Sequence, residues 1–276
     1  MISFFANPTR YGMTHSCRNN HLLRGSSQTR GEQISAYLGA KLNPTEGYEN
    51  DVCVYVKPAS LKDIKDGAYI DIGVENKGSL LELINRPKLN ILVLTTLAYD
   101  YLKSKGFKNN IIILPCFSCN YERFIRDRKE VTTVGVIGSP DSFDYPTEEF
   151  RERMKEIGLE FITYYKFRCR EDCADFFKKI DIQVSWNKSR DSTKIFKDAV
   201  RLINAASYGI PTVAYPEYYL QAFEGYYIRI KTIDQMVSEI KRLKDDPAYY
   251  KAWSDKLIPF GERYHISKIA ELYKQL

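Results

Sequence analysis

Several absences narrow the reading of this chain before any motif is considered. No apolar run approaches the length of a membrane span, and Met1 to Ala6 is too short for a signal-peptide core, so a cytoplasmic protein without a transmembrane segment is expected. There is no low-complexity tract and no repeat at fixed period, which sets solenoids and propellers aside. The six cysteines do not make a compact zinc ribbon. Cys116 and Cys119 form a C-x-x-C and Cys169 and Cys173 a C-x-x-x-C, but the loop between the pairs would have to hold several strands and helices. Together with Cys17 and Cys53 they read as reduced thiols, with no metal site and no tightly bound cofactor expected. Between Pro8 and Gly31 there is no acidic residue at all, while Arg10, Arg18, Arg24 and Arg30 stand there. Such a stretch suits a polyanion, or a solvated basic loop.

What is present is an ordinary soluble composition in 276 residues, with 44% hydrophobic and 28% charged residues. That length suffices for one large α/β domain or two small ones. The net charge of +6 is a mild excess rather than the mark of a dedicated nucleic-acid binder.

Short apolar strands alternate with helical patterns. Strands are expected at Ile2 to Ala6, Val52 to Val56, Tyr69 to Ile72, Ile91 to Leu94 and Ile111 to Leu114, with helices near Gln33 to Leu42, Leu80 to Ile84 and Leu97 to Lys103. The pattern breaks at Pro115 to Phe124. A second series then runs through Val131 to Ile137, a helix near Glu148 to Ile157, Glu160 to Thr163, a helix near Asp172 to Lys178, Ile180 to Val184, Thr212 to Ala214 and Tyr227 to Ile230. Alternation of this kind predicts α/β structure: two Rossmann-like domains with parallel sheets, residues 1–118 and 119–255, with a helical tail over 256–276 returning to the first. Eight βα repeats closed into a barrel would also suit the length.

The segment Lys194 to Tyr219 carries the most chemistry. It reads as an amphipathic helix, a glycine stop, a proline-led buried strand and a polar aromatic loop. On a helix, Lys197, Arg201, Asn204 and Tyr208 share one stripe, which places two cations near a helix start. Free N–H groups and the dipole there already favour an anion, so added Lys and Arg suit a diphosphate, while a sheet-covering helix with a solvated basic face would have the same pattern.

Ala205 to Pro211, with Thr212 to Ala214 behind it, resembles the Ala-x-x-x-Gly-x-Pro helix end and apolar strand that hold the nucleotide-sugar donor in GT-B glycosyltransferases. The resemblance extends loosely over most of the chain. Arg30 to Ser35 resembles the first helix of the acceptor domain, and Thr132 to Pro140 the opening strand and donor-side loop of the second domain. It implies GT-B architecture and transfer of a sugar from a nucleoside diphosphate, a UDP-sugar before others, to a hydroxyl. By the same resemblance Arg201, and less directly Lys197, meets the diphosphate, with Gly138 and Ser139 near the same phosphates. Many retaining members carry two glutamates seven residues apart; here those positions are Phe196 and Asn204, so retaining stereochemistry does not follow, although Asn204 could bond a ribose hydroxyl.

The loop Pro216 to Tyr219 follows a strand end, where open α/β sheets bind ligands. Glu217 could accept from sugar hydroxyls and Tyr218 or Tyr219 could stack or donate, or these residues could simply start a surface helix. Candidate bases are His15, in the loop after the first strand, Glu32, and Asp71, near a strand's carboxyl end, where a carboxylate is costly unless bonded or functional. The arginine-rich loop leaves two acceptors open: a hydroxymethylated base in DNA, where the arginines would meet phosphates, or a glycan or small molecule, where they would line a polar cleft. A non-catalytic nucleotide or sugar-phosphate binder, or an epimerase or hydrolase, would use the same scaffold.

Overall fold

A computed structural model describes residues 1–6, 11–13, 20–22, 25–72, 77–126, 128–166, 169–187 and 195–276. The chain divides into two units: residues 1–116, 191–198 and 266–276 form the first, and residues 117–190 and 199–265 the second.

In the first unit, β1 (Ile2–Ala6), β2 (Tyr11–Met13) and β3 (Asn20–Leu22) lead into α1 (Gly25–Ser27), a π-helical turn over Gln28–Gln33, and α2 (Ile34–Leu38). There follow β4 (Lys41–Leu42), β5 (Val52–Val56), β6 (Tyr69–Asp71), α3 (Lys77–Ile84), β7 (Asn90–Val93), α4 (Thr96–Ser104) and β8 (Ile111–Ile113). β2 and β3 pair antiparallel. The other six strands make one parallel sheet in the order β4-β1-β5-β6-β7-β8. Strands covered on both faces carry continuous apolar runs, and Ile91, Leu92 and Val93 are all buried.

The second unit contains β9 (Thr133–Ile137), α5 (Thr147–Glu156), β10 (Glu160–Tyr164), α6 (Arg170–Lys179), β11 (Ile182–Ser185), α7 (Val200–Ser207), β12 (Thr212–Ala214), β13 (Ile228–Arg229), α8 (Ile233–Asp245) and α9 (Pro247–Glu262). Its sheet is parallel throughout, in the order β10-β9-β11-β12-β13. Both sheets are open and doubly wound, not one closed eight-stranded barrel. Thr232 caps α8 through the Gln235 N–H, and Asp246 caps α9 through the Tyr249 N–H with Pro247 in the first turn.

Two differences from the sequence expectation have a common cause in packing. The expected helix across Lys194 to Tyr208 begins only at Val200, because Ile195 and Phe196 join the core of the first unit, where Phe196 meets Tyr101 edge-on at 5.5 Å. The tail over 256–276 is divided: only α10 (Ile266–Tyr273) and the residues after it belong to the first unit. There Tyr273 packs on Phe4 and the Leu276 carbonyl accepts from Tyr69. α9 stays with the second unit because Leu257 and Phe260 share a cluster with Leu202 and Ala206 of α7. Gly261 is the contact point, since a Cβ there would come within 2.5 Å of the Ser207 backbone.

Candidate functional site

In the second unit the strand order reverses between β9 and β11, and open sheets of this order bind ligands outside the carboxyl ends of the strands at that reversal. Four expected or newly found groups meet at these carboxyl ends. Gly138 follows β9 with φ +140°; a Cβ there would sit 2.5 Å from Ser142 Oγ and 3.7 Å from Arg201 Cδ, so only glycine lets this loop close on the arginine. Ser185 ends β11, and Glu217 comes three residues after β12. Arg201 lies in the first turn of α7, whose start has no side-chain cap.

These groups form a connected network. Arg201 Nη2 donates to the Tyr219 hydroxyl at 3.0 Å, Tyr219 donates to Glu217 Oε1 at 3.1 Å, and Ser185 Oγ donates to the same oxygen at 3.2 Å. Arg201 Nη2 is itself 3.6 Å from Glu217 Oε1. Burial holds the Tyr219 phenol well above its ordinary range, so it remains a donor. Arg201 keeps a side-chain exposure of 14% where Glu217 has none. The arrangement presents one partly accessible cation beside a glycine loop at a helix start, which suits an anion.

The structure places the other expected residues differently. Glu217 is fully buried and its Oε1 is occupied by the network, so it does not face sugar hydroxyls as expected. Asn204 is buried, and its Oδ1 accepts from the Cys119 backbone N–H at 2.8 Å, so it is not turned toward a ribose. Tyr208 is enclosed and stacks on Phe177. Asn204 and Tyr208 of the expected stripe are therefore not solvated, because Cys119 and α6 cover them. Lys197 precedes the helix and belongs to the first unit. Ser139 is exposed beside Gly138, and Tyr218 is 37% exposed beside Glu217. A pocket of about 290 Å³ lined by Ser118, Arg123, Pro259 and His265 contains none of the candidates.

In the first unit Asp71 closes β6, and its Oδ2 lies 3.0 Å from Nε of Arg30. Both side chains are almost completely enclosed, which corrects the expectation that Arg30 meets DNA phosphates. An extended basic stretch in sequence says nothing of burial, and here the arginine's partner lies in a strand 41 residues on. Burial raises the Asp71 carboxyl above its ordinary value, and Arg30 pulls it back. Cys116, which donates to Asp198 at 3.2 Å, and Tyr273 stand in the electrostatic surroundings of Arg30. His15, Arg10, Arg18 and Arg24 lie outside the described residues. Cys53, Cys116, Cys119 and Cys173 are free thiols, whereas Cys169 is disulfide-bonded, which corrects the expectation of six reduced cysteines. Among the described residues no group of three or more His, Cys, Asp or Glu is placed to hold a metal ion, and no helix is long and apolar enough to cross a membrane.

Sequence reasoning missed Ser185 and the Arg30 to Asp71 pair, and it named Tyr219 only as a group for the sugar. A serine at the carboxyl end of an otherwise apolar strand, Ile182–Ser185, was the available signal for the first.

Two doubly wound parallel sheets in this arrangement of strands are the fold of the GT-B glycosyltransferases, and the comparison with solved structures shows the same fold. The chain matches no protein-family model and no curated protein. It is similar in structure to a DNA modifying enzyme, β-glucosyltransferase, studied with and without uridine diphosphoglucose, at TM-score 0.58 and 11% identity, covering 100% of this chain and 99% of that one. An α-glucosyltransferase in complex with UDP and a 13-mer DNA containing an HMU base gives TM-score 0.51 at 10% identity, covering 96% and 95%. The pneumococcal O-GlcNAc transferase GtfA gives TM-score 0.53 at 11% identity and covers 83% of this chain, which spans about half, 52%, of the pneumococcal one.

Proposed function

We propose that the chain is a glycosyltransferase that moves a sugar from a UDP-sugar to a hydroxymethylated base in DNA. The observation that carries the donor half is the Arg201 network at the reversal point of the second sheet, closed from the other side by Gly138. In the transfer, the acceptor oxygen bonds to the anomeric carbon as the bond from that carbon to the diphosphate breaks. Arg201 and the N–H groups at the start of α7 would stabilise the charge that collects on the departing diphosphate. The hydroxyl proton would pass to water, since Asp71 is enclosed with Arg30.

The DNA half is supported by two neighbours whose names contain DNA and whose lengths this chain matches almost completely. Charge agrees with it: the first unit holds 18 of the 41 basic residues against 13 of the 35 acidic ones, so five of the six excess positive charges lie there. The test is release of UDP from UDP-sugars with and without DNA containing hydroxymethylated bases. Turnover that depends on such DNA is the expected result. Release with glycans alone would move the acceptor to that class. Binding of UDP-sugars without any turnover would favour a non-catalytic binder, for which the missing glutamates at Phe196 and Asn204 already speak.

A further inference from the structure

We infer that Glu217 is a positioning residue, one that acts on the donor only through Arg201; the inference rests on the donor reading above. A carboxylate with no exposed surface is costly unless a charge of opposite sign stands near it, and Arg201 Nη2 lies 3.6 Å away. Tyr219 makes the coupling directional. Its single proton goes to Glu217 Oε1, so its oxygen is left to accept from Arg201 Nη2, and the reverse arrangement is closed because a guanidinium accepts nothing. Ser185 donates to the same Oε1 from the end of β11, tying the carboxylate to the strand beside β12. The guanidinium is therefore oriented before any ligand arrives, and a long flexible side chain loses less freedom on binding. A residue that touched sugar hydroxyls would need an open oxygen surface, which the burial of Glu217 denies.

The experiment uses the full chain, with calorimetric titration of UDP and of UDP-glucose and thermal unfolding of the parent, Glu217→Gln, Arg201→Ala and the double variant. Glu217→Gln is expected to weaken both ligands by the same factor, about tenfold, because the sugar is not its partner. Arg201→Ala removes a counter-charge 3.6 Å from a buried carboxylate and is expected to lower Tm by roughly 5–10 °C; adding Glu217→Gln should restore most of that loss while UDP binding stays lost. A merely structural glutamate would leave UDP affinity unchanged in Glu217→Gln, so the equal loss for both ligands in that variant is the reading that separates the two roles, and its absence overturns the inference. The inference is overturned if Glu217→Gln weakens UDP-glucose but not UDP, or if the double variant is no more stable than Arg201→Ala. If the parent binds neither nucleotide, the donor reading fails and the positioning role with it. The unfolding arm then still reports separately on the Arg201 to Glu217 coupling, so the two failures can be told apart.

Discussion

Each unit buries an arginine against a carboxylate at the carboxyl edge of its parallel sheet, yet the two pairs differ in what they leave free. Arg30 meets Asp71 directly at 3.0 Å, and both side chains are 3% exposed or less. Arg201 meets Glu217 at 3.6 Å with the Tyr219 hydroxyl bonded to both, and it keeps some open surface. Direct contact within a closed cavity spends the guanidinium entirely on the carboxylate and so sets the charge state of Asp71. Contact shared with a phenol leaves the guanidinium oriented and still able to meet a ligand. One pair is arranged around its acid and the other around its base.

The largest effect that would sharpen this contrast is on stability. Arg30→Ala should destabilise the protein by about 3–5 kcal/mol, the cost of leaving one partner of a buried pair alone, measured by denaturant unfolding. The contrast breaks if the variant is as stable as the parent and instead binds DNA less tightly. Next comes the acid of the same pair: Asp71→Asn leaves the buried Arg30 guanidinium without this counter-charge and should also destabilise the protein, by about 3 kcal/mol in denaturant unfolding, with UDP affinity unchanged in calorimetry. A parallel loss of UDP binding would show that Asp71 acts on the donor. On the other pair, Arg201→Ala should weaken UDP binding by about 1.5–3 kcal/mol, the range for a hydrogen bond to a charged group. An unchanged UDP dissociation constant would remove the donor site from this network.

The smallest effect is a displacement along the pH axis. Burial raises the Asp71 carboxyl above its ordinary value, so its contribution to stability is fully present below that ordinary value and is lost as pH rises through the raised one. The difference in unfolding free energy between the parent and Asp71→Asn should therefore change with pH only above about 3.9, the ordinary aspartate value. Arg30→Gln should extend that change to higher pH, because the opposing charge is gone. A pH dependence that stays in place in that variant would mean another group controls it.

The contrast also shows what sequence could and could not disclose. β1 and β5 fall on the expected residues because five-residue apolar runs between polar neighbours leave little choice of register. The helix over Arg201 was legible as a helix, but its start was not: the periodicity continued back through Phe196, and only tertiary packing removes that residue to another core. Glu217 was found from its place after a strand, while the direction of its side chain depends on Arg201 and Ser185, distant in sequence. Arg30 was grouped with its charged neighbours in the chain, since charge patterning does not register a partner in a later strand. The starts of α8 and α9 went unread, although Thr232 and Asp246 with Pro247 are ordinary capping signals.

The division of the chain has a consequence for the order in which the protein is made. Residues 1–116 leave the ribosome first, yet the unit they begin takes Ile195 and Phe196 into its core and packs Tyr273 against Phe4. The unit started first is therefore finished last. During synthesis the second unit can gather most of its own contacts while Phe4 still waits for its aromatic cover. Neither unit can be excised as one continuous piece of chain. A nascent chain released before Ile266 would lack α10, and would expose apolar surface around β1 that holdase chaperones recognise.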